Sequence, residues 1–314
     1  MYRRLTKYGL SMLAVFGIAG CSYDTEIISS VEEKVPVTFE IATSEVSITR
    51  ADTYTDAGVW TGGENVAVND GTTTKTYTVS SNGSGGFKLT GSNTDNTFYW
   101  LIKSESKTFE AWYLKGNASY LNAKPTSMTV AADQTSADLN TYDLLYAQTD
   151  ALTAATSTVP SLTFYHQMAR LTVAITKGTG ATSETVTSVS LGNNNVYRTR
   201  ALSAFAASHY NGTSGGATWG TSSDQSTIKM KQVSESNYTC LVPPQTIGSG
   251  STILLTVTTS DGGNTRTYTT TGSVSLQSGQ HMTLNTTISR TDITIVPSIT
   301  AWPASYSGTG TAGF

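Results

Sequence analysis

Three histidines, His166, His209 and His281, and two cysteines, Cys21 and Cys240, are the side chains of this 314-residue chain best suited to nucleophilic, proton-transfer or metal chemistry. Their spacing supplies little of it. No histidine has a second histidine, a cysteine or a carboxylate two to four residues away, the offset at which a strand or helix would aim two ligands at one ion. His166 lies between two apolar runs and reads as a hydrogen-bonded junction residue, with a catalytic base as the alternative. Cys240 sits in Tyr238-Thr239-Cys240-Leu241-Val242, which alternates like a strand and has no base adjoining it. It is therefore expected to be a small core residue and not a nucleophile. Gly308-Thr309-Gly310-Thr311-Ala312-Gly313 spells G-x-G-x-x-G, but no helix is expected after it to present an N-terminus to a phosphate. Asp52 and Asp56 would serve as a glycosidase pair only if the fold converged them. No catalytic residue, metal site or cofactor is expected, and the chain does not read as an enzyme.

Cys21 has a different chemistry. Arg3, Arg4 and Lys7 precede an apolar run from Tyr8 to Ala19 that is too short to span a bilayer, and the run ends in Ile18-Ala19-Gly20-Cys21. That is the pattern of a bacterial lipoprotein signal over residues 1–21, in which the cysteine sulfur accepts diacylglycerol and the mature chain carries palmitate-type lipid in the outer membrane. The competing reading is a buried cysteine following an N-terminal helix. With Cys21 lipidated, Cys240 is the one remaining thiol, so no intramolecular disulfide forms and stability rests on packing.

Arg50 offers a third chemistry, recognition by a protease. No other arginine lies between Cys21 and Arg50, and the tract from Ser44 to Asp56 is polar, as exposed loops that proteases cut are. A cut between Arg50 and Ala51 would release residues 21–50, including Val35-Pro36-Val37-Thr38-Phe39-Glu40-Ile41, where Val35, Val37, Phe39 and Ile41 share one face at period two. A strand leaving a sandwich exposes an apolar groove edged by unpaired backbone groups. A single solvated arginine is the other reading, and spacing leaves both open.

The elements that must position these residues are strands. Charged residues make up 13% of the chain and the formal net charge is -3, which excludes a basic surface for nucleic acid. Tyr (16) outnumbers Phe (8) and Trp (5), a mixture that favours strands. Short alternating runs are cut by Gly, Asn, Asp and Ser throughout, and no long helical period occurs, which predicts an all-β sandwich or barrel. One hairpin is well marked, with Thr252 to Val257 meeting Thr265 to Tyr268 across Asp261-Gly262-Gly263-Asn264. Residues 22–34 are polar and acidic and read as a tether. The length suggests two domains, and the phase change near His166, inside the segment from Leu162 to Ile175, divides the rest into 35–165 and 166–314. Pro36 places the first strand at an edge or start. Asn193-Asn194-Asn195 and residues 211–220 read as loop-like insertions.

In order along the chain, the lipoprotein signal, the early alternating strand and Thr49-Arg50-Ala51 are followed by Trp60-Thr61-Gly62-Gly63-Glu64-Asn65-Val66-Ala67-Val68 and Tyr142-Asp143-Leu144-Leu145-Tyr146-Ala147. Then come Phe164-Tyr165-His166-Gln167-Met168-Ala169-Arg170-Leu171, Leu241-Val242-Pro243-Pro244-Gln245, the run from Leu276 to Leu284 and Ile299-Thr300-Ala301-Trp302. This order resembles the fimbrillin family of Bacteroides-type bacteria over nearly the whole chain. The resemblance implies two transthyretin-like β-sandwich domains in tandem and a structural role in type V pili at the cell surface. It also implies an arginine-specific surface protease that cuts at the Arg50–Ala51 position, and a neighbouring pilus subunit whose C-terminal segment fills the vacated groove. The donor segment implied here is the run from Thr291 to Pro297 with Ile293, Ile295 and Pro297, extending to Ile299, or the tail after Trp302. That tail, with Pro303, Gly308, Gly310 and Gly313, is a poor strand former, which leaves tip, accessory and anchor roles open beside the stalk. The alternative function is a lipid-anchored surface module that binds glycans through exposed Trp60, Trp112, Trp219 or Trp302, with core packing as the competing reading of most of these aromatics.

Overall fold

The computed structural model describes residues 34–42, 60–101, 104–154, 159–208 and 214–301. Cys21, Arg50, Ala51, Asp52, Asp56, His209, Trp302 and residues 22–33 lie outside them. The fold is all-β: among the described residues the only helical elements are two 3₁₀ turns, Ala118–Leu121 and Leu139–Tyr142. β-Branched and aromatic residues fit the pleated, half-buried surface of a sheet.

The early strands are β1 (Val35–Pro36), β2 (Phe39–Ile41), β3 (Asn65–Asn69), β4 (Thr74–Ser81), β5 (Phe87–Gly91), β6 (Tyr99–Trp100), β7 (Ser106–Lys107) and β8 (Glu110–Tyr113). After them come β9 (Ser127–Thr129), β10 (Leu145–Gln148), β11 (Leu152–Thr153), β12 (Ser161–Leu162) and β13 (Tyr165–His166). Eight of these form one sheet in the order β12-β2-β5-β4-β3-β8-β10-β13. It buries Phe39, Tyr77, Leu89, Phe98, Phe109 and Phe164 in one cluster.

The later strands are β14 (Ala169–Lys177), β15 (Thr185–Ala204), β16 (Thr218–Lys229), β17 (Lys231–Gln232), β18 (Asn237–Val242), β19 (Gln245–Ile247), β20 (Ile253–Asp261), β21 (Asn264–Thr271), β22 (Val274–Leu276), β23 (Gln280–Ser289) and β24 (Asp292–Ala301). One sheet runs β17-β18-β14-β23-β24 and another β16-β15-β20-β21, with Leu171, Val173, Cys240 and Leu284 of the first packed against Val189, Leu191 and Val257 of the second. The β20–β21 hairpin turns at Gly262 and Gly263, whose φ values of 55° and 88° suit a two-residue turn.

Residues 126–134 run along the later sheets although they precede His166. β9 pairs with β15, the Leu202 amide donates to Thr126 O, the Lys229 amide to Ala132 O, and the Gln134 amide to Lys229 O. Leu114, Met128, Leu139 and Leu144 share a further apolar cluster with Met168, Leu202 and Leu241.

Three expectations about local structure need correction. The alternating run from Val35 to Ile41 is not one strand: it is interrupted at Val37 and Thr38, β1 pairs with β6, and Val35 is 54% exposed while Val37, Phe39 and Ile41 are buried. Pairing with β6 turns the first residue away from the core that period two would have given it. Asn193-Asn194-Asn195 is a bulge inside β15, not a loop insertion, with a register shift between Leu191 and Val196 and Asn194 at φ 56°. The Asn195 carboxamide accepts the Asn193 amide and Thr227 Oγ1 accepts that of Asn194, so the extra residues stay satisfied without leaving the sheet. Likewise Thr218, Trp219 and Gly220 of the second expected insertion open β16.

Candidate assembly groove

β2 lies within its sheet between two unlike neighbours. It runs antiparallel to β5, with Phe39 opposite Leu89 and Ile41 opposite Phe87, and parallel to β12, with Glu40 opposite Ser161 and Ile41 opposite Leu162. On the β12 side the Glu40 amide donates to Pro160 O at 2.8 Å and the Ala42 amide to Leu162 O at 2.9 Å. The strand is only three residues long, so much of its attachment comes from side chains. Phe39 packs edge-on against Phe109 with ring centroids 5.1 Å apart and tilts against Tyr77 at 5.9 Å. Just before β2, the Val37 amide donates to Phe98 O at 2.8 Å. Burial pushes the Tyr77 phenol up to about 12, so its hydroxyl stays protonated and available as a donor to Val37 O. Glu40 faces outward and accepts from Asn82 Nδ2 at 2.9 Å.

This arrangement holds a strand. Without residues 35–42, Tyr77, Leu89, Phe98 and Phe109 would lose an apolar cover, and Pro160 O, Leu162 O and the β5 edge would lose their partners.

Ile293, Ile295, Pro297 and Ile299 all lie on β24, which pairs along its length with β23 at the edge of its sheet. Ile293 and Ile295 pack partly against the core, whereas Pro297 is exposed, Ile299 is 56% exposed and Val296, on the opposite face, is 65% exposed. The apolar face of β24 thus extends beyond the core that supports its first half.

The residues considered for catalysis or ligand binding are mostly enclosed. Cys240 is fully buried and burial pushes its thiol up to about 12. His166 is buried with Nδ1 2.8 Å from Asp143 Oδ1. His281 Nε2 lies 2.8 Å from Thr172 Oγ1, and burial, with the Arg170 and His166 charges, holds its pKa down to about 3. No group of three metal-ligating side chains occurs among the described residues. Trp60 and Trp112 are not exposed platforms for sugars: Trp60 packs on Tyr113 and Phe164, and Trp112 is buried with Nε1 donating to Tyr120 O at 2.5 Å. Trp219 is half-buried. An open cleft of about 350 Å³ lies above Trp112, lined by Glu64, Tyr113, Asn117 and Tyr120.

Sequence reasoning missed Tyr77, whose hydroxyl binds a carbonyl 40 residues away in sequence, and the buried glutamines Gln134, Gln167 and Gln245. Only an unusual polar residue inside an apolar context could have flagged them.

The family model described as fimbrillin-like matches residues 49–302. No curated protein matches the chain. Among solved structures, a candidate cell adhesion protein from Bacteroides uniformis is 17% identical, with a TM-score of 0.58 over 87% of this chain and 99% of that one. Another from Bacteroides ovatus is 18% identical, with a TM-score of 0.58 over 86% of this chain and 98% of that one. At these identities the likeness shows a shared fold.

Proposed function

The chain belongs to the fimbrillin-like family, and from that premise we propose that it is a structural subunit of a cell-surface fimbria, exported as a lipoprotein through Cys21 and assembled by strand addition. In this reading 35–165 and 166–314 act as tandem transthyretin-like sandwiches. An arginine-specific surface protease cuts between Arg50 and Ala51, the lipid and β1–β2 depart together, and a strand from another pilus subunit occupies the position of β2.

The observation that carries the proposal is the seating of β2. Val37, Phe39 and Ile41 are buried in the first core, yet the strand makes few backbone bonds and ends at a connection that contains Arg50. A short strand with a large apolar footprint leaves a groove with side-chain pockets and two backbone edges, which is what β-strand addition requires. The exposed continuation of β24 past its core, through Pro297 and Ile299, suits a donor role for that edge.

Intact-mass measurement of the protein released from the cell surface tests the reading: the mature form should begin at Ala51. Arg50→Ala cells should keep the lipidated form and lose the ladder of high-mass species seen in unboiled extracts. An unchanged ladder, or a surface form beginning at Cys21 within the polymer, would refute processing at Arg50 as the step that licenses assembly.

A further inference from the structure

Three buried glutamine side chains imitate strand backbone. Gln134 Oε1 accepts the Leu241 amide at 3.0 Å while its Nε2 donates to Leu241 O at 2.8 Å. Gln245 Oε1 accepts the Tyr197 amide at 2.8 Å and its Nε2 donates to Tyr197 O at 2.8 Å. Gln167 does the same with Ala206, both bonds at 3.0 Å. A primary amide carries one acceptor and a pair of donors on a planar frame, so it closes with one residue the two-bond ring that opposed residues close in an antiparallel ladder.

The first two stand where a sheet would otherwise be open. β17 pairs with β18 at Tyr238 and Thr239, but the chain passes to the other sheet at Met230, so on the side away from β14 no strand of this sheet lies beside Leu241. The Gln134 amide takes that place. β15 is paired with β20 over residues 185–191 and with β9 over residues 199–201, and Tyr197 falls between them, opposite the Gln245 amide. The segment that carries Gln134 also covers the end of β16 through Ala132 and Gln134, and Lys231 Nζ donates to Ala137 O at 2.6 Å. The far edges of the two sheets, β21 and β24, lie against each other. Exposed edges with unpaired backbone groups invite foreign strands.

We propose that Gln134 and Gln245 are edge plugs: their amides occupy the strand position beside Leu241 and Tyr197, deny those edges to other chains, and leave the β2 position as the site for strand addition. The plugs stand on their own geometry, and only the last clause rests on the function proposed above. A methionine is close to glutamine in length and volume but offers neither bond, so Gln134→Met and Gln245→Met remove the plug while keeping the packing.

The test is amide hydrogen exchange with size measurement by light scattering on the full uncleaved chain. In the parent, the Leu241 and Tyr197 amides should exchange as slowly as neighbouring ladder amides. In each methionine variant its partner amide should exchange about tenfold faster or more, since one net hydrogen bond is lost, and the double variant should form dimers or larger species at concentrations where the parent is monomeric. Gln134→Glu keeps the acceptor for the Leu241 amide and should leave that amide protected, which supplies a reading if Gln134→Met does not fold. Loop-like exchange at Leu241 and Tyr197 in the parent would overturn the proposal, as would methionine variants that expose those amides yet remain monomeric. Neither result depends on cutting at Arg50, so failure here and failure of the assembly reading are distinguishable.

Discussion

The Tyr77 hydroxyl bridges the two chains that meet at the start of the groove: it donates to Val37 O and accepts the Phe98 amide, each at 3.0 Å. Val37 lies where the chain passes from its pairing with β6 into β2, so one phenol on β4 ties that passage to Phe98. Tyr77→Phe keeps the ring contacts with Phe39 and Phe98 and removes the oxygen alone. Two buried backbone groups then lose a partner, at a cost of about 1 to 3 kcal/mol. Urea denaturation of the full chain should register that loss. A change below about 0.5 kcal/mol, the ordinary range for a neutral surface substitution, would mean that water or a shift of the chain replaces the hydroxyl.

Gly248 joins β19 to β20 at φ +79°, and a Cβ placed there would stand 2.2 Å from Gly272 O. Gly248→Ala therefore combines a left-handed backbone with a collision against a carbonyl that has its own place in the fold. Its cost should exceed the roughly 1 to 2 kcal/mol of an L-residue in the left-handed region. Gly262 in the β20–β21 turn has φ +55° and open space around it, so Gly262→Ala should cost only that conformational amount. Thermal melts of the two variants side by side decide the point, and equal losses would contradict it.

Glu184 is a buried carboxylate tied to the β20–β21 hairpin, accepting from Thr259 Oγ1, from Tyr268 Oη at 2.7 Å and from Arg266 Nη1 at 3.3 Å. Burial works against its charged form, but the Thr259 and Tyr268 hydrogen bonds and the Arg266 and Arg290 charges outweigh it, and its pKa is lowered. A lowered folded pKa gives stability that is complete above the unfolded value, about 4.3, and is lost as pH falls through the folded value. Glu184→Gln should thus be less stable than the parent at pH 7, with the gap narrowing at about pH 3. A gap of the same size at both pH values would show that the charge contributes nothing.

Strand content, the Gly262-Gly263 hairpin and the core role of Cys240 were legible because each follows from local alternation or from turn residues with a fixed preference. Val35 was misread because period two holds only along one strand, and the passage from β1 to β2 is held at Val37 by Phe98 and Tyr77, which are remote in sequence. The asparagine run at 193–195 carries loop-forming residues, but the Asn194 amide is satisfied across the sheet by Thr227, which no local pattern reveals. The tryptophans had the same ambiguity: an aromatic ring reads alike as platform or core until its neighbours are known, and Tyr113 and Phe164 resolve Trp60 as core. In the groove, the three buried residues of the alternating run were legible and the parallel partner β12 was not, because parallel pairing leaves no turn signal between its strands.

That parallel partner sets up the last prediction, which separates the strand from its connection. A chain beginning at Ala51 lacks Val37, Phe39 and Ile41, each worth roughly 1.5 to 3 kcal/mol of apolar burial, and leaves β12 and β5 without the strand between them. Such a chain should be less stable than the parent and should associate as its concentration rises. A synthetic peptide of residues 34–42 should then bind it, raise its melting temperature and return it to a monomer, because the peptide restores both the pockets and the two backbone edges. Phe39→Ala in the peptide should abolish most of the effect, since Phe39 fills the space against Phe109 and Tyr77 and truncating a buried Phe costs about 3 to 5 kcal/mol. Glu40→Gln should change little, because Glu40 lies on the outward face and Gln can still meet Asn82. A truncated chain that stays monomeric and melts with the parent would rule out a strand-binding groove at β2. If it associates but ignores the peptide, its association arises on another surface.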